Sequence, residues 1–565
     1  MSLKPASQIS LPAILQPLLL GTVFFLLFTG PIGDGDCFWH LANGRWIVEH
    51  SALPTSDPFS FTVTDHNPFR PESARIQFLL KQYWLGQMIL YGSWQMAGAA
   101  GVVMLRATVY TVIILFIHGW TRRRSPGLPP LLFSGLLGLL LMEIPNERPQ
   151  LFSFLFLPLL LWLLELSESK EQRWPLLLLP VVMILWANTH GSHIMGSALL
   201  ALTLTARIIV SRRHREPTPL ALLLAGTTSI VASLANPTGT LAWQEFFQTL
   251  PAYSATIYEN LTPWYAAVQQ HDLHPAYWCY LGIALVTISR AGRRIPLWRL
   301  LVCGSLLLLS LTGLRYLIFP LLAAPLLAPY LPELPVNRRL AMPILLGLAG
   351  WLAMATDGPI LRFRADDSFP AAAVEFLRRE QPAAELFNHY DWGGYLSWQL
   401  PNRRTFIDGR ALVEEISLLQ DDIINGNGWR ESMDSYGINT VLIPGLDRAS
   451  GVPLPLAELL AAAPDWRLVF ADATALVFVR STPPNQEVIA RHQLLPLELY
   501  RHLALQADRL LAINPKREEY WLTKANALQR LGDRPGALAA YQRTLEINPR
   551  NEWAARMVAA GGSTP

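Results

Sequence analysis

Between residues 11 and 356 the chain returns repeatedly to long apolar runs, and these constrain its fold more than any other feature. A helix that crosses a bilayer needs roughly 20 mainly apolar residues. Runs of this kind lie at 11–30, 100–119, 127–143, 150–166, 174–188, 194–210, 218–235, 275–289, 296–314, 316–331 and 339–356. The first is read as an uncleaved span, since no small-residue cleavage site follows it. Arginines follow alternate runs: Arg122-Arg123-Arg124, then Arg212, Arg213 and Arg215, then Arg290, Arg293 and Arg294, then Arg338-Arg339. All four groups fall on one side if the N-terminus is cytoplasmic, because cytoplasmic loops concentrate Lys and Arg. The expectation is a multispan α-helical membrane protein of about 11 spans, with everything after about residue 357 outside a bacterial inner membrane.

Composition agrees. Charged residues make up 15% of the chain and hydrophobic ones 51%, against about 25% charged in a soluble domain. The net charge of +3 and the lack of a basic stripe exclude nucleic acid as a partner. Cys37, Cys279 and Cys303 are too scattered for a disulfide framework or a zinc pattern.

The sidedness places the polar loops on the outer face. These include the long loop 31–99, the segment 143–148 (EIPNER), the segment 188–193 (NTHGSH), residues 236–239, Glu259-Asn260, and Arg315. Polar groups at a membrane boundary are costly unless paired or wet, so their gathering on one face points to one outward-facing polar cavity. Within the loop, helices are expected at about 36–50 and 78–98, both with aromatic, interfacial sides.

Several strings carry a resemblance. They are DGDCFWHLANGRWIVEH (34–50), DPFSFT (57–62), NERPQLFSFLF (146–156), WANTHGSHIMG (186–196), ANPTG (235–239), RYLIFPLLAAP (315–325) and YDWGGYLSWQLPNRRTFIDGR (390–410). With a first span, an acidic motif in a large outer loop and many later spans, the chain resembles the GT-C superfamily of membrane glycosyltransferases over roughly residues 10–440. The resemblance implies a polyprenyl-phosphate-linked sugar donor, inversion at the anomeric carbon, and a catalytic acid in the first outer loop. The matching positions here are Asp34 and Asp36. The superfamily's usual Asp-Glu pair is replaced by Asp-Gly-Asp, which leaves open which acid acts.

Such a transfer needs a base for the acceptor hydroxyl, a cation or donor for the leaving phosphate, and an apolar groove. Asp36 is the first choice as base and Asp34 the second; the same turn can also cap the helix that follows it. His40, one turn on, orients Asp36, touches phosphate, or is simply a satisfied interfacial histidine. Asp57 is a second cavity acid or a turn residue. Glu147 and Arg148 are candidates for substrate contact, Arg148 at the donor phosphate, with a salt bridge between the two as the other reading. Arg315, at the outer end of an apolar hairpin, is a further phosphate candidate. Asn188, His190 and His193 suit substrate hydrogen bonds. The two histidines also admit a divalent cation if an acid joins them, which is the one cofactor considered.

Residues 357–482 alternate short strands (385–388, 404–407, 439–443, 467–470, 475–479) with helices (368–380, 411–424, 430–436, 455–463), which indicates a small α/β domain. Tyr390, Asp391 and Arg410 there are candidates for acceptor or sugar contact, or for a structural turn. The glycines after Trp392 mark a turn or a close backbone approach. In residues 483–565, Leu511-Ala-Ile-Asn-Pro515 recurs 34 residues later as Leu545-Glu-Ile-Asn-Pro549, the tetratricopeptide period. Such repeats bind peptides or partner proteins.

The expected domains are therefore 1–356, spanning and with membrane lipids as neighbours, then 357–482 (α/β), then 483–565 (helical repeat). The expected function is transfer of a sugar from a polyprenyl-phosphate donor to a periplasmic acceptor, protein among the choices. The rivals are a lipid-linked glycan ligase or polymerase, and a non-enzymatic membrane scaffold that recruits partners through its repeats.

Overall fold

The computed structural model describes residues 11–64, 74–143, 147–168, 173–249, 258–269, 273–331, 365, 368–447 and 450–561. It divides into two units, Met1–Leu53 with Gln77–Ala365, and Pro54–Ile76 with Asp366–Pro565. The loop 31–99 is thus shared between them.

The first unit is helical. Its principal elements are α1 (Leu11–Leu27), α2 (Asp36–His50), α3 (Trp84–Ala97), α4 (Ala99–Arg124), α5 (Pro129–Glu143), α6 (Gln150–Leu166), α7 (Trp174–Thr189), α8 (His193–His214), α9 (Leu220–Ala232), α10 (Pro275–Ala291) and α11 (Leu297–Ser310). The uniform apolar composition makes most of these helices hydrophobic all round rather than amphipathic, as helices buried on every side are. α4 lies at the centre, against α1, α3, α5 and α6, while α8 packs on α9 and α11. Phe24, Phe28, Tyr110, Phe154, Trp186, Trp298 and Phe319 are among the large side chains of one continuous core.

Helix lengths depart from the expected spans. α4 and α8 are long and apolar enough to cross a membrane. The other apolar helices are shorter; the 17 residues of α6 rise only about 25 Å, less than a hydrocarbon core of about 30 Å. The run 316–331 is not a regular helix. Pro320, Pro325 and Pro329 remove backbone donors at close intervals, and the segment breaks into Ile318–Leu322 and short 3-10 turns at Leu314–Tyr316, Ala324–Leu326 and Ala328–Tyr330. The run 339–356 and the Arg338-Arg339 pair lie outside the described residues.

α2 lies close against α3. A Cβ on Gly44 would fall on the Gln87 carbonyl, so only glycine allows this approach. Asn43 donates to Gln87 Oε1 at 2.6 Å across the same interface.

Two polar clusters occupy opposite ends of the same helices. One contains Arg106 near the start of α4, Arg148 just before α6 and Arg315 just after α11. The other contains Arg124 at the end of α4, Glu165 in the last turn of α6 and Arg299 in the first turn of α11. In this second cluster, Glu165 is buried and paired with Arg124 at 3.0 Å and with Arg299 at 2.9 Å. Glu168 pairs with Arg299 at 2.7 Å and with Arg207. The indoles of Trp120 and Trp298 donate to Glu165 and Glu168 at 2.6 and 2.9 Å.

The second unit holds a four-stranded sheet of β1 (Leu386–Asn388), β2 (Thr440–Ile443), β3 (Trp466–Ala471) and β4 (Leu476–Arg480), in the order β1-β2-β4-β3. β1 and β2 run parallel, with Leu386 opposite Thr440; β4 is antiparallel to both β2 and β3. Every residue of β2 is buried, and burying a Val, Leu or Ile side chain contributes roughly 1.5–3 kcal/mol. Helices at Ala371–Glu380, Glu414–Ile424, Trp429–Ser435 and Pro455–Ala462 fall close to the expected ranges. The segment 404–407 does not become a strand. The Asn388 side chain takes its backbone instead, accepting from Phe406 N at 2.9 Å and donating to Ile407 O at 2.8 Å. Only Thr405 bridges, to Ser60 and to Leu386. The glycines after Trp392 open a helix, Gly393–Gln399, rather than a turn. The close approach is real: a Cβ on Gly393 would stand 2.5 Å from Asp408 Cα.

Beyond residue 496 come four helices, Leu497–Ile513, Glu518–Arg530, Arg534–Ile547 and Glu552–Ala559, each packed on the next. The repeated Ile-Asn-Pro ends the first and the third. Ala525, Ala537, Ala540 and Ala554 let the helices approach, with Tyr541 and Met557 filling the space between.

Candidate active site

The acidic turn before α2 forms for a local reason. Asp34 Oδ1 accepts the backbone N–H of Asp36 at 3.1 Å, an Asx turn that satisfies one of the unpaired amides at the helix start. Asp36 is the first residue of the helix, and it is Asp34 that makes the turn. Asp34 is held in turn from behind. Its N–H donates to Glu147 Oε2 at 3.3 Å, and Glu147, fully buried, pairs with Arg106. Arg106 donates to the carbonyls of Phe28 and Gly30 at 2.9 and 2.6 Å, closing the C-terminal end of α1. Glu147 and Arg106 therefore build the floor beneath the acids. Glu147, expected to touch substrate, is sealed away from it, and its ion pair is with Arg106 rather than with the adjacent Arg148.

Arg148 stands in front of this floor. Its Nε and Nη2 meet the two oxygens of Asp34 at 2.5 and 2.9 Å. Its Nη1 lies 3.1 Å from Asp36 and 2.8 Å from Glu259. The far oxygen of Glu259 is 3.6 Å from Arg315 Nη2. Two short turns bring Glu259 and Arg315 together: Tyr258–Asn260 meets Leu314–Tyr316, tied by Leu314 N–H donating to Leu261 O at 3.0 Å. The Nε of Arg315 is buried with no hydrogen-bond partner among the described residues.

Among the described residues, four carboxylates (Asp34, Asp36, Glu147, Glu259) thus face three guanidiniums (Arg106, Arg148, Arg315). One acid is in excess, and its place is Asp36. Burial lifts the Asp36 carboxyl to about 7; Arg148 opposes the rise, and Asp34 and Glu259 add to it. The Asp36 side chain is 22% exposed and that of Asp34 only 4%, so of the two acids of the turn it is Asp36 that solvent or a ligand can reach; Glu259, at 37%, is also open. For Arg148, burial works against the charge, but Asp34, Asp36 and Glu259 outweigh it and hold its pKa well above the ordinary value.

His190 caps the C-terminal end of α7. Its Nδ1 accepts the Ser192 N–H at 3.1 Å and lies 2.8 Å from Ser192 Oγ. Ser192 Oγ lies 2.7 Å from Ser153 Oγ, which accepts from the Trp186 indole at 2.9 Å. A ring whose Nδ1 accepts carries its proton on Nε2 when neutral. Burial, then the charges of His193, Arg315 and Arg148, push His190 down to about 3, so it is neutral at ordinary pH.

The other expected site residues are placed differently. His40 is buried between α2 and α3, with Nδ1 3.1 Å from Gln87 Nε2. Asn188 is used internally, accepting from the Trp84 indole at 2.9 Å and donating to the carbonyls of Ile184 and Ala235 at 2.9 and 2.8 Å. His193 is buried, with Nδ1 3.4 Å from the His190 carbonyl. Asp57, Tyr390, Asp391 and Arg410 belong to the second unit. There Arg410 is buried between Asp408 and Asp57, its Nε 2.8 Å from Asp408 and its Nη1 2.7 Å from Asp57. Asp57 also accepts the N–H groups of Phe59 and Ser60. This ion triad stitches the segment near residue 57 to the loop after 405. Tyr390 donates to Gly409 O at 3.1 Å, and Asp391 is exposed. Arg106 and Asp408 carry roles that the sequence reading does not assign, and Glu259, read only as one of the outer polar residues, joins the cluster itself. Arg106 has one signal, a lone charge in the second turn of a long apolar helix.

Nδ1 of His190 is taken by Ser192, and among the described residues no group of three His, Cys, Asp or Glu side chains is spaced to hold a metal ion, so no acid joins His190 and His193 in a ligand set there.

No protein-family model matches the chain, and no curated protein does. Among solved structures, the chain is similar to the oligosaccharyltransferase of Archaeoglobus fulgidus, crystallised in complex with zinc and sulfate. The identity is 10% and the TM-score 0.47, over 94% of this chain and 86% of that one.

Proposed function

We propose that this chain is a membrane glycosyltransferase of the GT-C kind, taking a sugar from a polyprenyl-phosphate donor and transferring it on the outer face of a bacterial inner membrane. The observation that carries the reading is the state of Asp36. Among the described residues it is the acid of the cluster left in excess of the cations, it is partly exposed, it makes no cap, and its pKa near 7 suits a general base. As the acceptor oxygen bonds to the anomeric carbon, Asp36 takes its proton, and the bond from that carbon to the phosphate oxygen breaks. Arg315, with a buried unpartnered Nε and a long contact to Glu259, receives the phosphate charge. His190 supplies a neutral Nε2–H donor beside it.

The membrane setting is supported by apolar side chains left exposed on the helices of the first unit. Leu18, Val112, Leu139, Leu177, Val181, Leu224, Val231, Leu285 and Leu308 are among them. In water so much exposed apolar surface marks an interaction site; in lipid it is the outer surface of the bundle. The sidedness is supported by the two polar clusters. Arg122, Arg123, Arg212 and Arg213 lie in the last turns of α4 and α8, at the end that carries the Glu165 cluster, which then faces the cytoplasm, while the Asp36 cluster faces outward. The second unit is periplasmic on this reading. Its last four helices are tetratricopeptide-like and dock a peptide or protein, the acceptor being one choice.

The test is a strain lacking the protein, complemented with wild type or Asp36→Asn, with periplasmic glycans and proteins read by mass spectrometry. Asp36→Asn is expected to lower product by about 10²–10⁴-fold at unchanged protein level. Full product with Asp36→Asn would sink the enzymatic reading and leave a scaffold that works through its repeats.

A further inference from the structure

Three acids of the cluster meet on one guanidinium. Asp34, Asp36 and Glu259 each place an oxygen 2.5–3.1 Å from a nitrogen of Arg148. Carboxylates brought this close together repel unless a cation lies between them. Oxygen-ligated divalent ions solve that problem in many proteins, with two or three carboxylates around one centre. Here a guanidinium fills the centre. It is planar and always charged, and it offers five N–H donors in a fixed fork. Arg148 engages Asp34 through two of them and reaches Asp36 and Glu259 with Nη1. Pro149, next along the chain, N-caps α6, so the arginine is anchored at a helix start and not on a free loop.

We infer that Arg148 is the built-in counter-cation of this site, standing where a divalent metal would otherwise be needed, so that the protein holds its acids together without one. The inference concerns the same cluster as the proposed transfer, yet it holds whatever reaction occurs there. It also has a chemical consequence. A divalent ion would carry twice the charge and draw the proton off Asp36 well below neutrality. A single guanidinium shared among three carboxylates leaves Asp36 basic.

The experiment uses the full-length protein in detergent with Mn²⁺ as probe, bound ion being read from loss of the free-ion electron paramagnetic resonance signal. Wild type is expected to bind no Mn²⁺ at this site, and its thermal midpoint is expected to be unchanged by EDTA. Around the guanidinium the three acids are not spaced to ligate an ion; Arg148→Ala removes what holds them apart and is expected to let them close on about one Mn²⁺ per chain, a gain lost again in Arg148→Ala/Glu259→Gln. Arg148→Lys keeps the charge and is expected to bind none. Stoichiometric Mn²⁺ on wild type that Glu259→Gln abolishes would overturn the inference. So would a wild-type midpoint that EDTA lowers and Mn²⁺ restores, or a folded Arg148→Ala that takes up no ion. The wild-type measurements decide the matter even if Arg148→Ala fails to fold, and none of them depends on sugar transfer.

Discussion

Asp34 and Asp36 differ by two positions and do different work. Asp34 spends its carboxylate on the amide of Asp36 and on two nitrogens of Arg148, which makes it a structural anion. Asp36 has one shared contact with Arg148 and a raised pKa. The raised value has a direct consequence for stability. An unfolded aspartate titrates near about 3.9, so between about pH 4 and pH 7 the folded state keeps a proton that the unfolded state has released. Stability contributed by this site is therefore highest below about pH 4, falls through that window, and levels off above it. Asp36→Asn removes the titration. Relative to wild type, its thermal midpoint is expected to rise as pH goes from 5 to 8, by the equivalent of on the order of 2 kcal/mol. Wild-type transfer is expected to rise with pH, half-maximal near the Asp36 value. A midpoint difference independent of pH would show that Asp36 is ionised throughout.

At the scale of elements, the site depends on how α2 lies against α3. The contact is close because position 44 is glycine, and the Asn43–Gln87–His40 hydrogen bonds run across it. Gly44→Val would push α2 off Gln87, break those bonds and swing Asp36 away from Arg148. A loss of about 1–3 kcal/mol is expected from the overpacking, along with loss of transfer. A variant with normal activity and normal melting would show that the helix pair is not what positions Asp36. The helix at 36–50 is legible in the sequence because apolar and aromatic residues keep a helical period there; the one expected at 78–98 breaks into Ala74–Lys81 and Trp84–Ala97. The regular helix expected at 316–331 was not there. Apolar runs look alike until prolines are weighed, and three prolines in that run prevent a continuous ladder of backbone hydrogen bonds. The missing strand at 404–407 is the converse case. A side chain, Asn388, satisfies backbone groups that a neighbouring strand would otherwise have paired.

At the scale of the whole molecule, the proposed topology makes the basic helix ends cytoplasmic and residues 366–565 periplasmic. In a background of Cys279→Ser, which removes the exposed native thiol, Glu487→Cys is expected to react in intact cells with a membrane-impermeant thiol reagent. Arg213→Cys is expected to react only after permeabilisation. Labelling of both in intact cells would overturn the sidedness. The segment Pro54–Ile76 joins residues 366–565 in one unit, through backbone pairing of Phe59 and Phe61 with Thr405 and through the Arg410 triad. Contacts spanning some 350 positions leave no periodic trace, so this partition could not be read along the chain.

The sequence by itself determined the apolar helices, the alternating arginines, the short strands and the repeated Ile-Asn-Pro, because each follows from local composition and spacing. It also put Asp34, Asp36, Arg148 and Arg315 forward as polar residues in otherwise apolar surroundings. Only the tertiary structure decided how they divide the work. A carboxylate's role depends on which cation reaches it and how much water is left around it, and those neighbours, Arg106, Glu147 and Glu259, come from positions far away in the chain. Glu147 became a floor, Arg148 a centre and Asp36 the surplus acid because, among the described residues, four acids and three guanidiniums meet in one partly buried place, where each charge must find its partner or give up its proton.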